Sequence, residues 1–287
     1  MNLSNITTHV NYSAAVQASL EDFITQLCLQ AQAAHPDQQR LIICIVGGTA
    51  SGKSFLASLC VYVASQAAHA LATKLGWPAP DSSATADFAV VVPMDGYHFT
   101  NTRLIADGLR HIKGQEPTID AESLMRDAAS IAAGDDVHVP EYDRAAHDPV
   151  PAAKHIPPHT RIVFIEGLHL LRGVQDDTEA ARWRGLREVA PVAVYVDTPL
   201  DECRHRVIHR KSLGGISAAD AAAWFDTVDA RTWHRIAEHE AHAATACAHL
   251  DTQVSHADAR AESDKLVDSK CVRITGLHLH WQHATVC

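Results

Sequence analysis

A glycine-rich octapeptide, Gly47-x-x-x-x-Gly52-Lys53-Ser54, carries the clearest chemical signal in the sequence. Its glycines let the backbone fold around an anion with N–H groups pointing inward, and the lysine can neutralise the outer phosphates. Aliphatic residues 41–46 precede the octapeptide and an alanine- and leucine-rich run follows it, which predicts a strand before it and a helix after it. Strand, glycine turn and helix together are the context of a P-loop, a cradle for nucleotide phosphates.

Different residues of the predicted P-loop are expected to bind phosphate, neutralise charge and hold a metal ion. Backbone amides and the N-terminus of the following helix hold phosphate, Lys53 neutralises charge, and the hydroxyl of Ser54 is predicted to be a ligand of Mg²⁺. We therefore expect a magnesium-bound nucleoside triphosphate, with ATP as the nucleotide. The predicted nucleotide-binding residues are Gly47, Gly48, Thr49, Ala50, Ser51, Gly52, Lys53 and Ser54.

Two carboxylates follow aliphatic runs elsewhere in the chain. Asp95 comes directly after "AVVVPM" and Glu166 after "RIVFI", so each is expected where a buried parallel strand ends, at the cradle's edge of the sheet. Beside a magnesium nucleotide, one carboxylate can accept the proton of an attacking hydroxyl while the other holds the metal or its waters. This division favours a kinase, although either carboxylate could instead cap a turn.

The elements that must position these residues alternate along the chain. Short aliphatic segments, "FAVVVPMD", "RIVFIEG" and "VAVYVD", alternate with helical patterns. This alternation predicts an α/β three-layer sandwich with a central parallel sheet of about five strands. We predict a helical lead-in over residues 1–40, a kinase domain over 41–236 and a helical and strand extension over 237–287.

Three further segments are assigned from their patterns. Residues 137–159 are rich in proline, which predicts a long irregular loop that serves the substrate. Residues 200–215 and 217–250 are predicted to be two helical segments joined at Gly214 and Gly215. Residues 271–281 are predicted to be a strand.

Composition narrows the class of protein. The chain has 287 residues, 47% of them hydrophobic, and a formal charge of −10, which argues against nucleic acid as a partner. Its seven scattered cysteines, with no C-x-x-C pair, suit free thiols in a reducing compartment. We found no apolar run that would span a bilayer and no signal-peptide pattern at the start, so we expect a cytoplasmic protein without a membrane partner.

Several longer motifs resemble one superfamily of kinases. In order along the chain they are "VPMDGYHFTNTRLIADGLRHIKGQEPTIDAESL", "VPEYDR", "FIEGLHLL" and "RHRVIHRKSLGG". This order is similar to that of the uridine kinase, phosphoribulokinase and pantothenate kinase superfamily over about Leu41 to Arg235, and within it to a bacterial branch labelled as fructose transport system kinases. The resemblance implies a P-loop fold in which Asp95 activates the acceptor hydroxyl, with Glu166 near magnesium.

The resemblance also implies a lid that closes over the phosphates. Arg206 and Arg210 are one helical turn apart, so both can reach one target and stabilise charge on the transferred group. The glycine pair Gly214 and Gly215 could supply a stop or hinge. A solvated basic helix face is the alternative.

The acceptor site is expected near Asp95 and in the proline-rich segment. Tyr142, Asp143 and His147 resemble the acceptor-binding stretch of uridine kinases, whereas Asp143-Arg144 resembles the fructose-kinase-like branch. Sugar, nucleoside and pantothenate-like alcohols therefore stay open as acceptors, and surface charge or loop packing remains an alternative for each residue. The predicted substrate-binding residues are Tyr97, His98, Arg110, Lys113, Tyr142, Arg144 and His147.

These features predict an ATP-dependent kinase that transfers the γ-phosphoryl group to a hydroxyl of a small metabolite, as a monomer or homodimer. The predicted catalytic residues are Asp95, Lys53, Arg206 and Arg210. One alternative is a P-loop nucleoside triphosphatase that uses water and acts on a partner. Another is a nucleotide-binding module without turnover.

Two features depart from the resemblance. After the lid, the fructose-kinase-like branch has an aspartate followed by an asparagine, whereas this chain keeps Asp229 and has Thr232 near the place of the asparagine. The extension is rich in histidine, but residues seven apart on a helix are too far from each other to share an ion, so a packed or solvated role is favoured there. The seven-residue spacing applies to His242, His249 and His256, whereas His278 and His280 alternate with leucines on a predicted strand, where such a pair alone does not make a metal site.

Overall fold

The computed structural model describes residues 14–172, 180–243, 247–251 and 271–275. Within them, six strands form one parallel sheet in the order β2-β5-β1-β6-β8-β7. These strands are β1 Leu41–Gly47, β2 Ala89–Pro93, β5 Ile162–Gly167, β6 Val192–Asp197, β7 Cys247–Asp251 and β8 Cys271–Thr275. A separate antiparallel hairpin is formed by β3 Val137–Asp143 and β4 Asp148–Ile156.

Helices lie along the chain between the strands. They are α1 Ala14–Ala34, α2 Lys53–Gln66, α3 Ala68–Lys74, α4 Asn101–Ala106, α5 Ala121–Ala133, α6 Arg184–Val189, α7 Leu200–Leu213, α8 Ala218–Trp224 and α9 Ala230–Ala243. Short 3₁₀ turns occupy Met94–Tyr97, Arg110–Ile112, Glu116–Thr118 and Ala180–Trp183, and a π turn, Phe225–Asp229, joins α8 to α9.

The core lies on both faces of the sheet. All seven residues of β1 are buried, and because side chains alternate along a strand, they divide between two clusters. Ile43 and Ile45 pack with α1, α2 and α3, whereas Cys44 and Val46 pack with α5 and Trp183. This confirms the predicted three-layer α/β sandwich, and the continuous apolar sequence of β1 is what a strand buried on both faces requires.

The proline-rich segment over residues 137–159 is not the predicted irregular loop, because most of it forms the β3–β4 hairpin. Pro140 lies where the register shifts between Val139 and Glu141, and Pro149 and Pro151 lie in β4. In a two-stranded ribbon each strand has one open edge, so a residue without an N–H group can be accommodated.

The segment after the glycine pair also differs from its prediction. Residues 217–250 were expected to be helical, but 247–251 form β7, which pairs with β8. The predicted boundary at residue 236 falls inside α9, and the three-part division of the chain stays a prediction. The histidine side chains predicted to pack or be solvated in the extension lie outside the described residues.

Among the described helices, no single one is long and apolar enough to cross a membrane. Helices α2 and α3 would meet the length and composition requirement only as a pair, and they are bent by 81° at the break between them.

Candidate active site

The glycine turn between β1 and α2 has the backbone shape that an anion cradle requires. Ala50 and Gly52 have positive φ angles of 62° and 99°, and the Ser51 amide donates to the Gly48 carbonyl at 3.1 Å. Alternation of such conformations is how a short turn gathers its N–H groups on one side. Helix α2 follows with Gly52 at its N-cap and no capping side chain, so the partial positive charge of its N-terminus faces the turn.

The turn is held by residues far along the chain. The Thr49 hydroxyl donates to the Asp229 carboxylate at 3.0 Å, and the indole N–H of Trp233 donates to the Thr198 carbonyl at 3.3 Å. A Cβ on Gly48 would lie 2.3 Å from Cδ1 of Trp233, so only glycine fits beneath the ring. Burial raises the pKa of Asp229, while the Thr49 hydroxyl and nearby cations oppose this rise.

Lys53, Ser54 and Glu166 meet at the start of α2. The Ser54 hydroxyl donates to Oε1 of Glu166 at 3.0 Å, and the Lys53 ammonium is 3.4 Å from the Gly48 carbonyl. Glu166 is 5% exposed, and burial raises its pKa, with Lys53 as the strongest opposing influence. A hydroxyl beside a buried carboxylate is an oxygen pair of the kind that Mg²⁺ prefers.

Asp95 lies in the 3₁₀ turn that follows β2. In the sheet register Pro93 is opposite Glu166, so Asp95 and Glu166 emerge from neighbouring strand ends, and the Asp95 charge helps to raise the pKa of Glu166. The side chain of Asp95 is 37% exposed, and Arg144 approaches it at 3.8 Å from the hairpin.

His98 lies beside Asp95 and lines the same cleft. Its Nδ1 lies 2.8 Å from the Asp95 carbonyl, so a neutral ring donates there and keeps Nε2 as an acceptor. Burial lowers the pKa of His98, against the raising effect of the Asp95 charge. The His98 ring is tilted against Tyr142, with centroids 5.3 Å apart.

A cleft of about 210 Å³ lies between the glycine turn and Asp95. Its walls are formed by five parts of the chain: the P-loop, the Asp95 turn, the loop at residues 113–115, the hairpin and the α8–α9 region. The residues that line it are Thr49, Asp95, His98, Lys113, Gly114, Gln115, Tyr142, Leu168, Trp224, Val228, Asp229 and Thr232. The Thr232 hydroxyl donates to the Val228 carbonyl at 3.2 Å, within its own helical turn.

Lys113 is the best-anchored cation of the cleft. Its ammonium donates to Asn101 and to the His147 carbonyl, each at 2.7 Å, and lies 3.5 Å from Asp148. It also lies 5.2 Å from the centroid of the Tyr142 ring. Burial lowers the pKa of Lys113, while the Asp148 charge raises it. His147 thus contributes its backbone carbonyl to this arrangement, from a turn where its φ is 52°.

Tyr97 does not lie with the other predicted acceptor residues. It is 3% exposed, and its hydroxyl donates to Asp127 of α5 at 3.0 Å. Burial, together with the neighbouring Asp127 carboxylate, raises the pKa of Tyr97 above its ordinary value. Tyr97 is thus not among the residues that line the cleft, because in the 3₁₀ turn that begins at Met94 its side chain points into the core while that of His98 faces the cleft, and its contact with the acceptor stays a prediction.

The predicted lid arginines, both in α7, differ in their contacts and exposure. Arg206 donates to the carbonyls of Ala50 and Ser51 at 3.2 and 3.3 Å and pairs with Glu202, so it supports the carbonyl side of the glycine turn. Phosphates bind the amide side, and in this structure Arg206 does not have the position expected of a lid residue. Arg210 is exposed, as is Arg110, and neither lines the cleft.

Sequence reasoning missed a buried network that positions the loop at residues 113–115. Glu116 is 2% exposed and accepts from Arg172 and from the Trp183 indole, each at 3.0 Å. The ring of His169 lies 3.3 Å from the Gly114 carbonyl. Glu116 belongs to the first of the quoted motifs, and Arg172 directly follows the motif "FIEGLHLL", but only the fold brings these two residues together.

Comparison with known proteins identifies similar kinases. No protein-family model matches the chain. It is 29% identical over 199 residues to "Uncharacterized protein YggC" of Escherichia coli, covering 69% of this chain and 73% of that protein. It is 29% identical over 193 residues to "Putative uridine kinase C227.14" of Schizosaccharomyces pombe, covering 65% and 72%.

A shorter match reaches a second kind of kinase. The chain is 31% identical over 121 residues to a pantothenate kinase of Mycolicibacterium gilvum, covering 42% of this chain and 36% of that one. Among solved structures, a "putative fructose transport system kinase" from Silicibacter sp. TM1040 superposes with a TM-score of 0.58 at 26% identity, covering 75% of this chain and 94% of that one.

Proposed function

We propose that this chain, a P-loop kinase whose acceptor is a hydroxyl group of a small molecule, transfers the γ-phosphoryl group of ATP with Asp95 as the general base. Support comes from one geometric observation above all. A single cleft is lined by Thr49 of the glycine turn on one side and by Asp95 on the other. Phosphoryl transfer depends mostly on aligning donor and acceptor and on neutralising charge, and a cleft shared by the glycine turn and Asp95 is suited to the alignment.

The donor side of the cleft suits a triphosphate. The residues that would hold it are the backbone amides of 48–54, the N-terminus of α2 and the Lys53 ammonium. The turn fits an anion because Ala50 and Gly52 have positive φ angles and α2 has no side-chain cap. Adenine is the proposed base of the nucleotide.

Ser54 and Glu166 are the residues proposed to hold magnesium. Their oxygens lie 3.0 Å apart, and burial raises the pKa of Glu166, an effect that a bound cation would oppose. A bound magnesium ion supplies charge neutralisation for the phosphate oxygens.

In the proposed reaction, the acceptor hydroxyl gives its proton to the Asp95 carboxylate as its oxygen bonds to the γ-phosphorus. The bond from the γ-phosphorus to the bridging oxygen breaks, and ADP leaves with that oxygen. Asp95 suits this role because its side chain is 37% exposed at the cleft, and among the described residues it is Arg144 that forms an ion pair with it, at 3.8 Å. His98 hydrogen-bonds to the Asp95 carbonyl and thereby orients the turn.

The acceptor side is polar and has one aromatic face. Tyr142 lies between the His98 ring and the Lys113 ammonium, and Gln115 lines the same wall. Such a wall can hydrogen-bond a polyhydroxyl compound or stack on a flat ring. Sugars, nucleosides and pantothenate-like alcohols are therefore the acceptor classes that we propose.

The function can be tested by measuring ADP release from ATP and Mg²⁺ in the presence and absence of individual sugars, nucleosides and pantothenate. We expect at least one acceptor to raise the rate and to appear as a phosphorylated product by mass spectrometry. A rate that no acceptor changes would favour a triphosphatase that uses water. Lys53→Ala serves as the control, because a rate independent of Lys53 would come from a contaminating enzyme.

A further inference from the structure

The hairpin places two histidines and an aspartate on one solvent face, away from the cleft. His138 of β3 is directly opposite His155 of β4 in the antiparallel register. Asp136 directly precedes β3, and its carboxylate contacts His155, which places it on the same face as the two histidines. The intervening Val137 and its partner Ile156 are buried on the other face, which fixes this orientation.

The three side chains already contact one another. The imidazoles of His138 and His155 are stacked with centroids 4.6 Å apart and planes at 17°. Nε2 of His155 contacts Oδ1 of Asp136. One donor atom from each of the three residues lies within 4.8 Å of the others. Ligands bound at about 2.0–2.2 Å from one ion are separated by up to about 4.4 Å, so small rotations of these exposed side chains suffice.

A buried side chain, Arg40, holds both ends of the backbone segment that carries these residues. The buried guanidinium of Arg40 donates to the carbonyl of Gly134, just before β3, at 3.2 Å and to that of Pro157, just after β4, at 3.0 Å. It also donates to the Ile131 carbonyl at 3.3 Å. Because both ends of the hairpin are attached to one side chain, little backbone ordering is needed when a ligand binds.

We propose that Asp136, His138 and His155 form a binding site for a divalent transition metal ion, for which Zn²⁺ is the natural probe. Two imidazole nitrogens and one carboxylate oxygen match the ligands of such ions and leave a position for water. Magnesium prefers oxygen ligands alone, so this site differs chemically from the pair formed by Ser54 and Glu166.

A metal ion bound here would link β3 to β4 at the end of the hairpin that is away from its turn. His138 lies about 13 Å along the strand from Tyr142, which lines the cleft. Between them the carbonyl of Pro140 packs on Gly96, where an added Cβ would lie only 2.4 Å from it. A bound ion therefore fixes the strand register that places Tyr142 and supports the Asp95 turn.

The site can be tested on the full chain by titrating Zn²⁺ in competition with a chromogenic chelator. The sequence has 20 histidines, so some additional zinc binding is expected in every variant. The wild-type protein should bind one more equivalent than His138→Gln/His155→Gln. Asp136→Asn should weaken binding of the same equivalent by about 10-fold or more, because mutation even of the groups that hydrogen-bond to metal ligands costs about 10–100-fold in metal affinity.

His69→Gln/His159→Gln is the matched control, because it removes two exposed histidines from other elements and should bind as much zinc as the wild type. All variants change exposed residues, and thermal unfolding in a chelator will verify that they fold. Co²⁺ absorption provides a second readout, in which the band of a nitrogen- and oxygen-bound ion should lose the intensity of one bound equivalent only in the hairpin variants. Equal zinc stoichiometry in the wild type and His138→Gln/His155→Gln would overturn the proposal.

Discussion

Asp95 and Glu166 are carboxylates at neighbouring strand ends, yet their environments differ. Glu166 is buried beside Ser54 and Lys53, whereas Asp95 is 37% exposed at the cleft. Burial disfavours the charged form, so an acid at the position of Glu166 suits cation binding, while one at the position of Asp95 can exchange a proton with a ligand in the cleft. The two residues are therefore suited to different roles.

Replacing Asp95 by asparagine tests the proton-accepting role. Asp95→Asn keeps the size of the side chain but removes the basic oxygen, so phosphoryl transfer should fall by roughly 10²-fold or more. Nucleotide affinity should stay nearly unchanged, because Asp95 lies on the acceptor side of the cleft. Single-turnover kinetics and ATP-analogue titration measure the two quantities, and an unchanged transfer rate would remove Asp95 from the role.

The raised pKa of Glu166 predicts a specific pH dependence of stability. Because burial raises the pKa in the folded state, the protonated carboxyl stabilises the fold at low pH, and this contribution is lost as pH rises through the folded pKa. Glu166→Gln resembles the protonated form at every pH. Without nucleotide, its free energy of unfolding relative to wild type should therefore increase as pH rises from the ordinary range of a glutamate pKa toward the raised pKa of folded Glu166.

Urea denaturation across this pH range will measure the effect. Asp120→Asn at the N-cap of α5 is a useful comparison, because it removes a carboxylate that is not buried in this way. A constant difference between Glu166→Gln and wild type at all pH values would show that Glu166 is ionised without penalty in the folded protein.

At the scale of elements, the loop at residues 113–115 depends on a buried ion pair. Glu116→Gln removes the charge that Arg172 and the Trp183 indole contact, and it leaves a buried guanidinium without this carboxylate. Breaking such a pair from one side costs about 3 kcal/mol or more. Chemical denaturation should show a loss of this size.

An exposed pair provides the matched control for this loss. Arg103 and Asp107 lie four residues apart at the surface with side chains about half exposed, so Arg103→Gln should cost less than about 1 kcal/mol. If Glu116→Gln had an equally small effect, the network would not hold the loop that carries Lys113 and Gln115.

The elements that could be predicted from the sequence are those with a local signal. β1, the glycine turn and α2 follow one another directly, and Asp95 and Glu166 each end an aliphatic run. The hairpin at 137–156 could not be predicted in this way, because its prolines resemble a loop and its pairing depends on distant residues. The alternation of Val137 and Val139 with polar neighbours is a signal that could have indicated β3.

The direction in which an individual side chain points could not be predicted from the sequence. Tyr97 and His98 are adjacent in sequence, yet one side chain enters the core and the other enters the cleft. Arg206 has the spacing of a lid residue but lies on the carbonyl side of the glycine turn. Both outcomes depend on packing between elements, which motif order alone does not specify.

At the scale of the whole molecule, the cleft depends on contacts between two segments that are far apart in sequence, the π turn with α9 and the glycine turn. Asp229 and Trp233, in the π turn and α9, contact Thr49 and Gly48 of the glycine turn. Trp224 and Lys211, whose ammonium lies 4.8 Å from the Trp224 ring centroid, continue this contact toward α7. Closure of the cleft therefore depends on α9 lying directly over the P-loop.

Gly48→Ala tests this closure. Its new methyl group would lie 2.3 Å from Cδ1 of Trp233, so either the ring or the turn must move, at a cost of about 1–3 kcal/mol in overpacking. Gly185→Ala is the control, because a Cβ there meets Met125 only at an ordinary 3.8 Å and should not destabilise the protein.

The origin of the cost can be located with a second substitution. Trp233→Leu removes the ring, so Gly48→Ala should be less harmful in that background than in the wild type by at least about 0.5 kcal/mol. Urea denaturation of the four proteins gives this coupling energy directly. Additive effects would mean that α9 does not rest on Gly48, and the cleft would then have to be closed by the hairpin and the Asp95 turn alone.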